Sequence, residues 1–134
     1  MKVNSATPVF LVARVEESRD FFTRAGFEVT VEIPAGNAIG FALMVKDGVQ
    51  MMLQTRGNEH EPPSMQVLTR LSRHAAVFIE VDDLDAVVAG LEGEKIVVER
   101  HATFYGSDEL TYQEPGGNFV TFAKFAAKEM GSET

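Results

Sequence analysis

The sequence predicts an α+β fold built from two copies of a β-α-β-β-β unit. In two separate segments, residues 8–22 and 75–91, a short apolar run of strand type is followed by apolar residues at helical spacing. Corresponding landmarks in the two segments are 69 positions apart, as the pairs Val12 and Val81 or Phe22 and Leu91 show. A constant offset of this kind indicates a duplicated half.

The 134 residues have the size of one domain, and we expect residues 1–134 to form a single one. The offset divides it into halves at about residues 6–55 and 74–125, joined by a polar linker at residues 56–73. Each half alone is too short to bury a large core, so we expect the two halves to pack together.

Periodicity and turn residues place the elements of the first half. Gly26 ends the helix, and the Asp47-Gly48 dipeptide is a strong signal for a tight hairpin between the last two strands. The predicted elements are a strand at 7–13, a helix at 15–25, and strands at 28–33, 39–45 and 49–55.

The second half repeats this order. Asp83 or Asp82 is placed to cap the helix, and the turn at residues 114–118, Glu-Pro-Gly-Gly-Asn, separates the last two strands. The predicted elements are a strand at 74–81, a helix at 84–91, and strands at 95–99, 109–113 and 119–124, with a short helix at 64–71 in the linker.

Composition narrows the class of partner. The net charge of -8 argues against nucleic acid, because binding a polyanion requires clustered Lys and Arg. No apolar run approaches the roughly 20 residues of a membrane helix, so no membrane partner is expected. The chain contains no cysteine, which excludes a thiolate nucleophile and suits a cytoplasmic location.

The ordered set of motifs resembles the vicinal oxygen chelate superfamily, which contains glyoxalases, extradiol dioxygenases, fosfomycin-resistance enzymes and bleomycin-resistance proteins. The set comprises the two β-α-β-β-β units, Gly26-Phe27 after the first helix, residues 81–85 opening the second, and Tyr105-Gly106 followed by the turn at 114–118. The resemblance covers residues 6–125 and implies two curved sheets that form a cup, with helices on the outer faces.

In metal-using members of this superfamily, His or Glu side chains on the first and last strand of each half hold a divalent ion. Carried over by position, these ligands fall on Thr7, Met52, Ala76 and Thr121. Alanine and methionine offer no hard donor and a threonine hydroxyl is a weak one. We therefore expect no metal and no other cofactor, and the resemblance is closest to the metal-independent, bleomycin-resistance-like members.

Two alternatives remain open. In the first, the protein is a metal-dependent lyase, isomerase or dioxygenase whose ion is held by other residues, such as His74 with Glu80 or Glu109. His60 in the linker and His101 in a loop are interpreted as solvated side chains. In the second alternative, the protein is a non-catalytic dimerisation module.

Strand parity identifies the side chains that should line the cup, because residues two apart share a face. The expected ligand-binding set is Thr7, Met52, Gln54, Ala76, Phe78, Glu80, Tyr105, Phe119 and Thr121, with Tyr112 as a further aromatic wall. This apolar and amide-bearing surface suits a small hydrophobic or cationic molecule. We expect a homodimer in which strands of both subunits complete each cup.

Overall fold

The computed structural model describes residues 1–2, 4–56 and 73–126, and it confirms the two predicted β-α-β-β-β units. The predicted linker helix at 64–71 and His60 lie outside the described residues. The elements are β1 (Val9–Val12), α1 (Val15–Arg24), β2 (Glu28–Ala35), β3 (Ala38–Lys46), β4 (Val49–Thr55), β5 (Ala76–Glu80), α2 (Leu84–Gly90), β6 (Ile96–Ala102), β7 (Ser107–Gln113) and β8 (Phe119–Phe125).

Each half forms one four-stranded sheet with the same topology. Sheet A has the strand order β1-β4-β3-β2, and sheet B has the order β5-β8-β7-β6. The first strand of each half runs parallel to the last, and the other neighbours are antiparallel. Among the described residues, no helix is both long enough and apolar enough to cross a membrane.

Strand pairing extends β2 and β6 by two or more residues beyond their predicted ends. β2 continues through Pro34 to Ala35, where it pairs with Ala38 across a tight turn. β6 continues to Ala102, so His101, expected in a loop, lies on a strand and pairs with Glu109. The expected loop position of His101 was wrong, because antiparallel ladder bonds to β7 persist across a β-bulge, which residue composition does not reveal. The expected exposure of its side chain is confirmed.

One hydrophobic core joins the two halves. Each sheet turns one face toward the helices, and residues of that face from both sheets belong to a single buried cluster. The ring of Phe21 on α1 meets the ring of Tyr112 on β7 edge-on, with 5.9 Å between centroids. Burying a side chain of this size contributes about 1.5 to 3 kcal/mol, so the halves stabilise each other.

Capping and an ion-pair network fix α2 on sheet B. The Asp83 carboxylate accepts a hydrogen bond of 3.0 Å from the Ala86 N–H, which confirms the predicted cap. Arg100 on β6 donates to Asp85 at 2.7 Å and to Asp108 at 2.9 Å. The Arg100 guanidinium lowers the pKa of the exposed Asp85 carboxyl group.

The turn between β7 and β8 fastens the two halves together, and we call residues 114–118 the clasp. The buried Asn118 amide accepts a 2.7 Å hydrogen bond from the Ala75 N–H and donates to the Leu11 carbonyl at 3.3 Å. The Glu114 carboxylate accepts from the Asn118 amide at 2.7 Å and from the Gly116 N–H at 2.9 Å. A Cβ atom at Gly116 would lie 2.4 Å from Val12, so only glycine fits there.

Replacing Asn118 with alanine should destabilise the protein by about 2 to 3 kcal/mol, because buried groups of Ala75 and Glu114 lose their hydrogen-bond partner. Asn37→Ala, in the exposed turn between β2 and β3, is the matched control and should cost less than about 0.5 kcal/mol. Urea denaturation of both variants measures the difference. Equal losses would show that the clasp does not hold the halves together.

Candidate functional site

The face of each sheet that is turned away from the helices is called the open face. On β5, Val77 and Ile79 pack against the core, whereas the alternate side chains of Ala76, Phe78 and Glu80 do not. The Phe78 side chain is 51 % exposed. This alternation agrees with the face assignment predicted from strand parity.

On the open face of sheet A, the expected residues lie in neighbouring rows. Met52 pairs with Val9, and Gln54 pairs with Leu11. Thr7 lies just before β1, and its hydroxyl group donates to the Gln50 side-chain oxygen at 3.2 Å. Followed across the sheet to β2, the row of Met52 ends at Val31 and the row of Gln54 ends at Ile33. Val31 is 42 % exposed and Ile33 is 40 % exposed.

On the open face of sheet B, pairing places Phe78 beside Thr121 and Ala76 beside Phe119. The Thr121 hydroxyl is 2.7 Å from that of Thr111 on the next strand. Five of the nine expected residues therefore lie on this one face, namely Ala76, Phe78, Glu80, Phe119 and Thr121. Glu80 is at the edge of the face, beside Ala123. Tyr105 approaches the same face from the loop before β7.

A run of aromatic rings crosses this part of sheet B. The ring of Phe125 lies 6.3 Å from that of Phe78 and 6.1 Å from that of Tyr105, measured between centroids. Phe125 was missed in the sequence analysis, although it follows Phe119 and Thr121 at the two-residue spacing of one strand face. Extending the predicted strand by one residue would have identified it.

A buried carboxylate lies beside the rings. The Glu109 side chain accepts hydrogen bonds from the Tyr105 hydroxyl at 2.8 Å and from the Ser107 hydroxyl at 2.7 Å. The Ser107 hydroxyl is in turn 2.7 Å from that of Thr103. This network fixes the Tyr105 ring at the end of the aromatic run. No motif or spacing in the sequence predicted that Thr103 and Ser107 would belong to this network.

Tyr112 does not belong to this surface, and the expectation that it forms an aromatic wall was wrong. It alternates with Thr111 on β7, so its ring enters the core, where it is 1 % exposed and contacts Phe21 and Phe122. Burial raises the pKa of the Tyr112 hydroxyl, and the Glu94 carboxylate adds to the rise. Tyr105 alone of the two tyrosines reaches the open face.

The residues at the four superfamily metal positions do not fit a divalent ion. Ala76 has no donor atom, and Met52 offers a thioether, which is a poor ligand for hard cations. The hydroxyl groups of Thr7 and Thr121 are engaged with Gln50 and Thr111. Across the described part of the chain, no group of three or more His, Asp and Glu side chains is arranged to hold a metal ion.

The alternative ligand set is also dispersed. His74 precedes β5 and its ring meets Phe119 edge-on, at 6.2 Å. Six residues of nearly extended chain separate it from Glu80, a span of about 20 Å, so these two side chains cannot share an ion. Glu109 and Glu80 lie on either side of Ala123, about 10 Å apart at the backbone.

The two open faces point away from the shared core. On sheet A, Leu11 and Gln54 are nevertheless buried, each 5 % exposed. Exposed apolar side chains lie on both, including Val31 on sheet A and Val98 and Phe78 on sheet B. A cavity of about 750 Å³ lies elsewhere, beside the hairpin between β3 and β4, and of the nine expected residues only Glu80 lines it. A single chain therefore presents the expected residues on two separate sheet faces rather than in one enclosed cavity.

Comparison with known proteins agrees with this architecture. A family model described as the Glyoxalase/Bleomycin resistance protein/Dioxygenase superfamily matches residues 4–122. None of the curated proteins compared with the chain matches it.

Three solved structures illustrate the shared fold. TioX from Micromonospora sp. ML1 has a TM-score of 0.73 at 17% identity, covering 92% of this chain and 100% of its own. TnmS3, an antibiotic binding protein from Streptomyces sp. CB03234, has a TM-score of 0.66 at 18% identity, covering 94% and 99%. The bleomycin-binding protein in its complex with bleomycin has a TM-score of 0.63 at 13% identity, covering 92% and 100%.

The face assignment is testable with two phenylalanines on opposite faces of sheet B. Phe122→Ala, at a side chain that is 1 % exposed, should cost about 3 to 5 kcal/mol because it leaves a core cavity. Phe78→Ala should cost about 1 kcal/mol or less, since half of that ring is already in solvent. Chemical denaturation measures both. A large loss for Phe78→Ala would show that the open face is part of the core.

Proposed function

The chain belongs to the Glyoxalase/Bleomycin resistance protein/Dioxygenase superfamily, and we propose that it binds a small hydrophobic or cationic organic molecule without a metal ion, in the cytoplasm. The observation that carries the proposal is the uncovered aromatic run of Phe78, Phe125 and Tyr105 on sheet B. Binding would sequester the molecule rather than transform it.

The chemistry of the open face favours recognition over catalysis. Catalysis of the superfamily type needs a Lewis acid, and the residues at the four positions that would hold it supply no imidazole or carboxylate. What the face does supply is flat apolar area from Phe78 and Phe119 and hydrogen-bonding groups from Thr121 and Thr111. Such a surface stacks on a planar ligand and orients its polar edge.

Charge favours a neutral or positive ligand. Glu80 and Glu109 belong to one row of the open face of sheet B. The whole chain carries a net charge of -8, so its field attracts cations and repels anions, and this attraction weakens with added salt. Rings beside carboxylates also stabilise an organic cation through contact with the ring faces.

We further propose a homodimer in which sheet A of one protomer faces sheet B of its partner. The supporting observation is that exposed apolar side chains occur on the open faces of both sheets, with Val31 and Ile33 on one and Val98 and Phe78 on the other. Exposed apolar area of this kind marks an interaction surface. Pairing the faces would bring Met52 and Gln54 opposite the aromatic run and enclose the ligand.

A thermal-shift screen tests the binding function. The probes are bleomycin, S-hexylglutathione and catechol, each with and without Ni²⁺ or Zn²⁺. We expect at least one organic probe to raise the melting temperature in a metal-independent way, because a ligand of the native state stabilises it by mass action. Phe78→Ala should weaken that binding about fivefold or more, whereas Val49→Ala, at an exposed apolar residue outside the open faces, should not.

Two results would contradict the proposed function. Stoichiometric tight binding of nickel or zinc, with turnover of a thiol conjugate or catechol, would establish the metal-dependent enzyme. A dimer that gives no shift with a broad antibiotic panel would favour the non-catalytic dimerisation module.

The dimer is tested by sedimentation equilibrium. The wild-type protein should have a mass of about twice 14.7 kDa. Val31→Lys should give a monomer, because the new charge would be buried without a partner. Val49→Lys places the same charge at an exposed valine outside the open faces and should leave the dimer intact. A wild-type monomer at high concentration would contradict the arrangement.

A further inference from the structure

A cavity of about 750 Å³ lies between the two halves, and of the expected ligand-binding residues it shares only Glu80, at the edge of the open face of sheet B. One wall is the hairpin between β3 and β4 together with the end of α1. The facing wall is the end of β5 and the first turn of α2. Its volume lies within the range typical of small-molecule sites.

The cavity exists because the two repeats differ at one turn. In the second half, Glu114 and Asn118 form a backbone pair and their buried side chains dock the clasp on β1. In the first half the corresponding pair is Lys46 and Val49. Val49 is the repeat equivalent of Asn118, because it lies 69 positions before it. Lys46 and Val49 are about half exposed, and neither side chain can make the clasp bonds. The gap that the clasp closes on one side therefore stays open on the other.

The lining combines an apolar floor with an acidic rim. The apolar side belongs to Phe27, Val49, Ile79, Val81, Val87 and Phe122. The rim carries four acidic residues, Asp47, Glu80, Asp82 and Asp83, and two basic residues, Arg24 and Lys46.

The basic side chains at the rim are already engaged. Arg24 donates to Glu94 at 2.6 Å and to the Gly90 carbonyl at 3.1 Å, and Lys46 is 3.6 Å from Asp47. Over residues 4–56 and 73–126, Asp82 has no hydrogen-bond or ion-pair partner. The rim thus presents an uncompensated carboxylate next to an apolar floor.

We propose that this cavity is a second binding site, separate from the open faces, for a small amphiphilic organic cation. The apolar body of the ligand lies on Phe27, Val81 and Val87, and its ammonium group faces Asp82. Apolar burial supplies affinity and the carboxylate supplies selectivity for positive charge.

The test uses 2-naphthylmethylammonium as the probe, with 2-naphthylmethanol and 2-naphthoate as its neutral and anionic counterparts. Titration is followed by amide chemical shifts of the full chain. We expect saturable shifts at the amides of Gly26, Val81 and Val87, and about fivefold or tighter binding of the ammonium than of the alcohol. Added salt should narrow that difference.

Matched variants locate the site. Ala86→Phe fills the cavity mouth from α2 and should abolish the shifts, whereas Ala89→Phe, on an exposed position of the same helix outside the cavity, should not. Asp82→Asn should weaken ammonium binding about fivefold, and Glu17→Gln, the same loss of charge at an exposed position of α1, should leave it unchanged. Phe78→Ala on the open face should also leave it unchanged.

Three outcomes would overturn the proposal. The first is the absence of saturable shifts at the cavity amides with the ammonium probe. The second is equal affinity for the alcohol or the naphthoate, which would exclude recognition of charge. The third is that these amides shift on concentrating the protein alone, which would identify a second copy of the chain as the occupant.

Discussion

The whole architecture depends on one constraint: both helices lie on the same side of their sheets and share a single core. Phe21 of α1 meets Tyr112 of the other half within that core, so each sheet can bury only one face inside the chain. The second face of each sheet keeps several apolar side chains exposed, although Leu11 on sheet A is buried. Exposed side chains such as Phe78 and Val31 are therefore a consequence of the packing, and they are the surface available for a ligand or a second copy.

Duplication produced two halves with identical topology but different chemistry. The clasp at Glu114 and Asn118 ties the second half to β1 through buried hydrogen bonds. Its counterpart in the first half carries Lys46 and Val49, which cannot replace those bonds. A buried polar group is costly unless it is hydrogen-bonded, so a partly formed clasp would destabilise the protein. The first half lacks the clasp altogether, and the cavity lies at the corresponding turn.

We propose that the open face of sheet B serves recognition of a small molecule rather than metal chemistry. By resemblance, Ala76 and Thr121 correspond to positions of metal ligands in metal-using members of the superfamily. The Thr121 hydroxyl group is hydrogen-bonded to that of Thr111. The neighbouring rings and the network around Glu109 give this surface a fixed shape. Function thus follows from the side chains grafted onto the sheet, since the fold itself supports several unrelated chemistries.

Local patterns in the sequence determined the order of the strands and helices and the two faces of β5, because these follow from periods of two and 3.6 residues. Carried over by resemblance, the four superfamily metal positions hold no His, Asp or Glu in this sequence. Tertiary structure alone decided that His101 pairs with Glu109 across a bulge, that Tyr112 enters the core, and that a cavity opens beside Val49. These features depend on contacts between residues far apart in the chain, and local periodicity carries no information about such contacts.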